Sequence, residues 1–511
     1  MDAAAPRLGA PPADGRATAP VAFGSVAATL ALACGVTAAP MLAQLVSPLI
    51  GVPLAVILAF LLANHLWRFV PAVLIFAMMF QNLFVSLLSP LIPDADVFTF
   101  IRGYTFLETV VVWAVLIVDF LRAPAAHSPA IRRLIFQGLG LFAVIGAFAA
   151  LGLPANGSAT IVYTRNIVTP LLLFHICLLT AARARLDVGR MIVVYAGMVF
   201  ACGWLEMLSR RSWLALTNGD GYWEFNAAGM RSSGYWEDVL AQTGFVYRDI
   251  EDYFRINLFN TPYFDGIEVM RLHGPNIHAI AFGYALAFLA LYLIAAGRPL
   301  FAALSAPLLV LASVKGAMAL LLLVVAAWVG SRAIGAARTL PVLLAVLVIY
   351  VAAMIVTGLA GGDYHVIGLM GGLKGFVALP LGHGIGSGGN LAGAITMAEW
   401  SKAQEAGSFD GAVESAIGVL LWQMGVAGLL VLAHYLAIAA RAWRLYARSG
   451  NLHQGLAAFA TLIVVVNGLF QEEALFSPLA LGLVLAFTGL VIGSAERRPE
   501  PAPAALAVER T

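Results

Sequence analysis

Apolar runs of about 15 to 27 residues, separated by polar connections, take up nearly the whole of this chain. A bilayer's hydrocarbon core takes roughly 20 apolar residues to cross as a helix. Of the 511 residues, 61% are hydrophobic and only 11% charged, far below the roughly one quarter charged in soluble domains. Spans are predicted near 21–39, 45–64, 70–92, 104–121, 134–153, 167–182 and 191–208. A second set falls near 275–296, 299–313, 316–331, 340–360, 412–438, 455–471 and 476–493. The expected fold is therefore all-α and polytopic, with about 14 transmembrane helices (about 12 to 14) and two large polar loops at 209–274 and 361–411. A single membrane domain over 21–493 is flanked by a disordered cytoplasmic tail at 1–20, rich in Ala, Pro and Gly, and a second cytoplasmic tail at 494–511.

Arginine sets the orientation, because cytoplasmic connections collect Lys and Arg. With the N-terminus inside, the inner connections hold Arg68, Arg122, Arg132, Arg133, Arg183, Arg185 and Arg190, then Arg298, Arg332, Arg338, Arg441, Arg444, Arg448, Arg497 and Arg498. Both termini are then cytoplasmic and both large loops lie outside. Reading 299–331 as two short spans keeps this pattern and puts Ser313-Val314-Lys315-Gly316 at an outward hairpin tip. A net charge of +2 and the lack of a Lys/Arg-rich segment argue against a nucleic-acid partner. Cys34, Cys177 and Cys202 lie singly in apolar runs, without CxxC spacing, so neither a disulfide framework nor a zinc site is indicated.

Basic residues left on the outer side call for an anionic reason or for interfacial snorkelling. They include Arg102, Arg165, Lys315, Lys374 and Lys402, and, in the first loop, Arg210, Arg211, Arg231, Arg248, Arg255 and Arg271. Arg165, Arg271 and Lys315 fall at predicted helix edges; if the edges converge, the three cations line a pocket suited to phosphate or pyrophosphate. Met270 to Gly283 concentrates the most chemistry: Arg271, His273, Asn276 and His278 stand where the first loop enters an apolar helix, with Gly274 or Asn276 near the cap. That loop also carries Trp213, Tyr222, Trp223, Tyr235, Trp236, Tyr247, Tyr253, Phe254, Phe259, Tyr263 and Phe264, a load that serves either an interfacial belt or a carbohydrate face. The second loop holds Gly371-Gly372-Leu373-Lys374-Gly375 and Gly382-His383-Gly384-Ile385-Gly386-Ser387-Gly388-Gly389-Asn390. No strand or βαβ unit accompanies these glycines, which excludes a Rossmann or P-loop reading and leaves anion contact or a tight turn. Glu414 then sits at the outer end of the next span, placed either as a general base or as an acid complementing the helix dipole.

In this order, Arg165 before a span, the large outer loop, Arg271-x-x-Gly-Pro-Asn, Ser313-x-Lys315-Gly316, Gly-His-Gly-Ile-Gly-Ser and Glu414-Ser415, the chain resembles the superfamily of O-antigen ligases and Wzy-type polysaccharide polymerases. Glu414-Ser415, nine residues and Gly425 follow the spacing of the ligase motif, with glutamate in place of its histidine and Gly428-Leu429 in place of its paired threonines. The resemblance implies an inverting, metal-independent glycosyltransferase of the polytopic C-type class, without cofactor. Its donor and acceptor are polyprenyl-pyrophosphate-linked oligosaccharides, and a chain-length regulator is a further partner. The departures favour a polymerase over a ligase. On this reading Arg271, Arg165 and Lys315, with Asn276, Lys374 and Arg102, bind pyrophosphate or glycan, and Glu414 or His273, backed by His278 and His383, is the base. Two rivals remain: a metal-dependent transferase using Asp94-Ala95-Asp96, and a flippase for the lipid-linked sugar.

Overall fold

The computed structural model describes residues 23–232, 254–260, 264, 266–393 and 397–497 and is that of an all-α polytopic membrane protein. Among the described residues eleven helices are long and apolar enough to cross a membrane, and three shorter apolar helices, Ala279–Ala295, Pro299–Ala312 and Leu452–Asn467, accompany them. In chain order the first half comprises α1 (Phe23–Val46), α2 (Pro48–His65), α3 (Val70–Leu88), α4 (Ala95–Ile101), α5 (Tyr104–Arg122), α6 (Pro129–Gly152), α7 (Gly157–Arg183), α8 (Val188–Leu208), α9 (Arg210–Thr217) and α10 (Gly219–Ser232). A short antiparallel hairpin follows, β1 (Arg255–Asn257) against β2 (Glu268–Met270), with Ile256 opposite Val269. The second half holds α11 (Ala279–Ala295), α12 (Pro299–Ala303), α13 (Ala306–Ala312), α14 (Lys315–Ile334), α15 (Ala336–Gly361), α16 (Tyr364–Ala378), α17 (Met397–Ala406), α18 (Ala416–Met424), α19 (Val426–Ser449), α20 (Leu452–Asn467), α21 (Glu472–Phe476) and α22 (Leu483–Ala495). A π turn, Pro478–Gly482, opens α22.

Local chemistry fixes where these helices start. Ser47, Ser128, Asn156 and Asn451 each accept an N–H of the following turn, and Pro48 and Pro129 occupy first-turn positions where no donor is needed. Contacts then sort the connections onto two ends of the bundle. At one end Arg183 binds Asp119 at 3.0 Å, Arg441 pairs with Glu496, and Ser128 donates to Glu496 at 2.9 Å. This end gathers the arginine-rich connections. At the other, Tyr104 donates to Gln44, Asn82 to the Asn276 carbonyl and Asn218 to the Leu87 carbonyl. Arg271 reaches the Ala312 carbonyl at 3.1 Å, so α12 and α13 run back toward the start of α11 and Ser313, at φ 56°, forms a turn at that end. The two-limb reading of 299–331 agrees with this geometry.

Several boundaries depart from expectation. The segment expected to cross as 412–438 is broken at Gly425, whose φ of 53° and ψ of −128° suit only glycine. The α19 part alone is long enough to cross. The second large loop is not open chain: α16 runs through it, and Gly368, Gly371, Gly372 and Gly375 form one face at i, i+3, i+4 and i+7, pressed against 409–413 and α18. The span expected at 167–182 begins ten residues earlier, at Gly157, which moves Arg165 from the helix edge to two turns inside it. The tail at 1–20 and most of 494–511 lie outside the described residues.

Lipid supplies no hydrophobic drive between helices, so close backbone packing holds the bundle. One close pairing sets α22 on α7, where Gly489 and Gly493 bring the helices together; a Cβ added at Gly489 would stand 2.6 Å from the Phe174 carbonyl oxygen. Gly489→Val is therefore expected to cost roughly 1–3 kcal/mol by overpacking. The fall should appear as a lower midpoint in thermal unfolding of the purified chain. An unchanged midpoint would mean that α7 and α22 do not approach this closely.

Candidate functional site

At the end opposite the arginine-rich connections, α3, the α4–α5 turn, α7 and the π turn enclose a cavity of about 410 Å³, a size suited to a small-molecule group. Arg102, at the α4–α5 turn, and Arg165, on α7, both line it. Gln81, Asn82, Asn166 and Asn276 supply four amides around them. Toward the bundle interior the wall becomes Thr105, Thr109, Thr169, Leu173 and Leu479. Helical spacing explains this gradient: Arg165, Thr169 and Leu173 follow one another at i, i+4 and i+8 on a single face of α7. Arg165 Nε donates to the Asn166 side chain at 3.3 Å, and Gln81 donates to the Arg102 carbonyl.

A constrained turn brings Asn276 to the cavity. The Glu206 carboxylate, itself buried, accepts the backbone N–H groups of His273 (3.1 Å) and Gly274 (2.7 Å) and a bond from Arg210 (3.3 Å). Ile277 is held at φ 50°, strained backbone for a β-branched residue that the surrounding bonds must maintain. The helix starts at Ala279, later than expected, because His278 and not Gly274 or Asn276 is the N-cap: its Nδ1 accepts the Ala281 N–H at 3.3 Å. His278 is exposed. Desolvation by the surrounding protein, then the charges of His273, Arg271 and Arg102, push its imidazole down to about 4. Its Nδ1 is occupied by the cap bond.

Each of the other expected site residues has a definite place. His273 is enclosed by Trp223 (5.0 Å) and Phe254 (4.7 Å), with about 10 Å³ of space left beside it, room for one water at most. Burial pushes its imidazole below the usual range, against the pull of Glu206. It has no access to a sugar hydroxyl. Arg271 is oriented through Nε on the Ala312 carbonyl and stands within Coulombic range of His278 and Glu473, without lining the cavity. Lys315 is exposed as the first residue of α14. The three expected edge cations thus do not line one pocket; Arg102 takes the place beside Arg165. Lys374 lies within α16 and pairs with exposed Asp410 at 3.2 Å. His383 stacks on Trp422 with ring centroids 4.3 Å apart. The neighbouring glycines serve packing: Gly386 presses on Thr160 and Gly389 on Tyr163 at φ near 90° and 86°. Asp94 of the Asp-x-Asp motif caps α4 through the Val97 N–H. Among the loop aromatics, Trp213, Tyr222 and Phe254 are buried; Tyr235, Trp236, Tyr247, Tyr253, Tyr263 and Arg248 lie outside the described residues.

Sequence reasoning overlooked Glu472 and Glu473. The signal was available: two adjacent acids in a connection of a few residues between apolar spans, at the end where Arg271 lies. Glu472 is buried and accepts from Tyr163 at 2.6 Å and from the Asn390 N–H at 3.2 Å. Asn390 in turn accepts the Glu414 N–H at 3.1 Å. Glu414 does not open the helix, since Ser415 caps α18; it stands just before it at φ 63°, with Oε2 3.7 Å from His365 Nδ1. Burial, then the negative charge of Glu414, holds the Glu473 carboxyl above the usual range, while His365 and Arg271 draw it back. Burial and the Glu473 charge push Glu472 up to about 8, against the Tyr163 and Asn390 bonds.

Glu472 therefore holds its proton better folded than unfolded. That stabilisation is full at low pH and is lost as pH rises from the ordinary carboxyl range through about 8. Thermal stability of the wild type should fall more steeply than that of Glu472→Gln between pH 7 and 9; parallel profiles would contradict the assignment. No family model, curated protein or solved structure matches this chain.

Proposed function

We propose that this chain is a polysaccharide polymerase, an inverting glycosyltransferase that joins polyprenyl-pyrophosphate-linked repeat units at the periplasmic face of a bacterial inner membrane. The observation that carries this reading is the cavity pairing Arg102 with Arg165 among four amides; the carboxylates of Glu473 and Glu414 interact with each other outside its lining. Two guanidiniums in one half-open site suit a pyrophosphate, which takes paired N–H donors from each fork. Below them Leu173 and Leu479, set among Thr105, Thr109 and Thr169, offer apolar contact to the first part of a polyprenyl chain.

In the reaction the acceptor hydroxyl oxygen attacks the donor anomeric carbon from the face opposite the leaving group. The new C–O bond forms as the bond to the pyrophosphate oxygen breaks, which inverts the anomeric centre. The electron pair leaves on the pyrophosphate, where Arg102 and Arg165 meet the growing charge; stabilisation aimed at developing charge is usually the largest catalytic contribution. Glu473 accepts the hydroxyl proton, and Glu414 raises its proton affinity. Glu206 positions the turn that carries Asn276. Resident metal and cofactor have no part in this reading, which follows the resemblance to the polymerase and ligase superfamily.

A transporter reading has one observation in its favour: Glu108 is buried in α5 with neither carboxyl oxygen hydrogen-bonded, and acids within spans often mark translocation paths. Cells lacking the chain separate the readings. Single lipid-linked repeats accumulating on the outer leaflet are expected; accumulation on the inner leaflet would indicate a flippase. Finished polymer that fails to reach its final acceptor would indicate a ligase.

A further inference from the structure

We propose that the arginine-rich end of the bundle carries a binding site for an anionic phospholipid. A cavity of about 250 Å³ opens there between the first turns of α1, the Trp67–Phe69 turn and the connection from α7 to α8. Three stretches distant in sequence converge on it, bringing Arg68, Arg185 and Arg190 to its wall. All three arginines are exposed. Among the described residues Asp187 is the one acid in that wall and pairs with Arg190 at 3.5 Å, which sets three positive charges against one negative there.

Below the arginines the cavity is lined by Val26, Phe69, Ala72, Val188 and Met191. A soluble phosphate compound has no use for that floor. A phospholipid uses both parts, with its phosphate oxygens on the guanidiniums and its glycerol and first methylenes on the apolar side chains. The first turn of α8, at Val188 and Met191, borders the same space, so the helix's positive end faces it. Basic pockets between spans at the cytoplasmic side take lipid headgroups by this combination of charge and apolar contact. The site lies at the end of the bundle away from Arg102 and Arg165 and does not rest on the reaction proposed above.

Native mass spectrometry of the purified full chain, given equal phosphatidylglycerol and phosphatidylethanolamine, tests it. The wild type should retain phosphatidylglycerol preferentially, and Arg68→Gln/Arg185→Gln should weaken that retention roughly ten- to thirtyfold, at about 1 kcal/mol per arginine. Arg332→Gln/Arg338→Gln, which removes the same charge elsewhere at this end, should leave it unchanged. Equal losses in the two double variants, or no preference in the wild type, would overturn the site. Displacement of the lipid by millimolar inorganic phosphate would overturn the lipid assignment in favour of a free anion. Should the first double variant fail extraction, Arg68→Gln and Arg185→Gln alone are each expected to lose about fivefold; full retention in both would count against the proposal.

Discussion

Arg165→Ala is expected to lower polymer formation by roughly 10²–10³-fold, with single lipid-linked repeats accumulating in its place. Among the described residues the side chain hydrogen-bonds only its neighbour Asn166, and it faces the cavity, so its removal should leave thermal stability nearly unchanged. Arg165→Lys keeps the charge but loses the planar fork, and should recover only part of the activity. Arg271→Ala is a less clean test, because that side chain also ties the 271–278 turn to Ala312; activity and stability should fall together. Normal polymer length in Arg165→Ala at normal expression would remove Arg165 from the site.

Glu473→Gln is expected to slow turnover by roughly 10²–10⁴-fold while leaving donor binding intact, the range for loss of a general base. The pH profile carries a second signature. In the wild type the rate should rise with pH through an apparent pKa above the ordinary carboxyl range, because burial and the Glu414 charge hold the Glu473 proton. Glu414→Gln removes that charge and should move the rise to lower pH; a merely structural Glu414 would change the rate without moving it. Turnover of Glu473→Gln within a few-fold of wild type would return the role of base to Glu414.

The apolar runs were legible because span length is a one-dimensional property: the limb returning from α11 to the Ser313 turn is written in where Arg298, Lys315 and Arg332 fall. The Arg271–His278 stretch was likewise legible as a turn entering an apolar helix. Its partners were not, because a run of spans does not say which helices touch. Arg165 meets Arg102 from the α4–α5 turn rather than Lys315, a pairing across 63 positions that no spacing rule encodes. His273 looked available in sequence, yet Glu206, Trp223 and Phe254 enclose it. The Gly425 break and the glycine face of α16 were hidden for a different reason: glycine in an apolar run reads the same whether it packs a helix or ends one. Glu472 and Glu473 were missed because the connection holding them is so short, although its shortness is what fixes them against α7.

The most direct test of the account is reconstitution of the purified chain in liposomes with a defined polyprenyl-pyrophosphate-linked repeat unit as both donor and acceptor, without added nucleotide or divalent metal. The account predicts a ladder of products spaced by whole repeats, with inverted linkages, lost in Arg165→Ala and in Glu473→Gln. Unchanged single repeats in the presence of folded wild-type protein, or repeats moved across the bilayer without being joined, would contradict it.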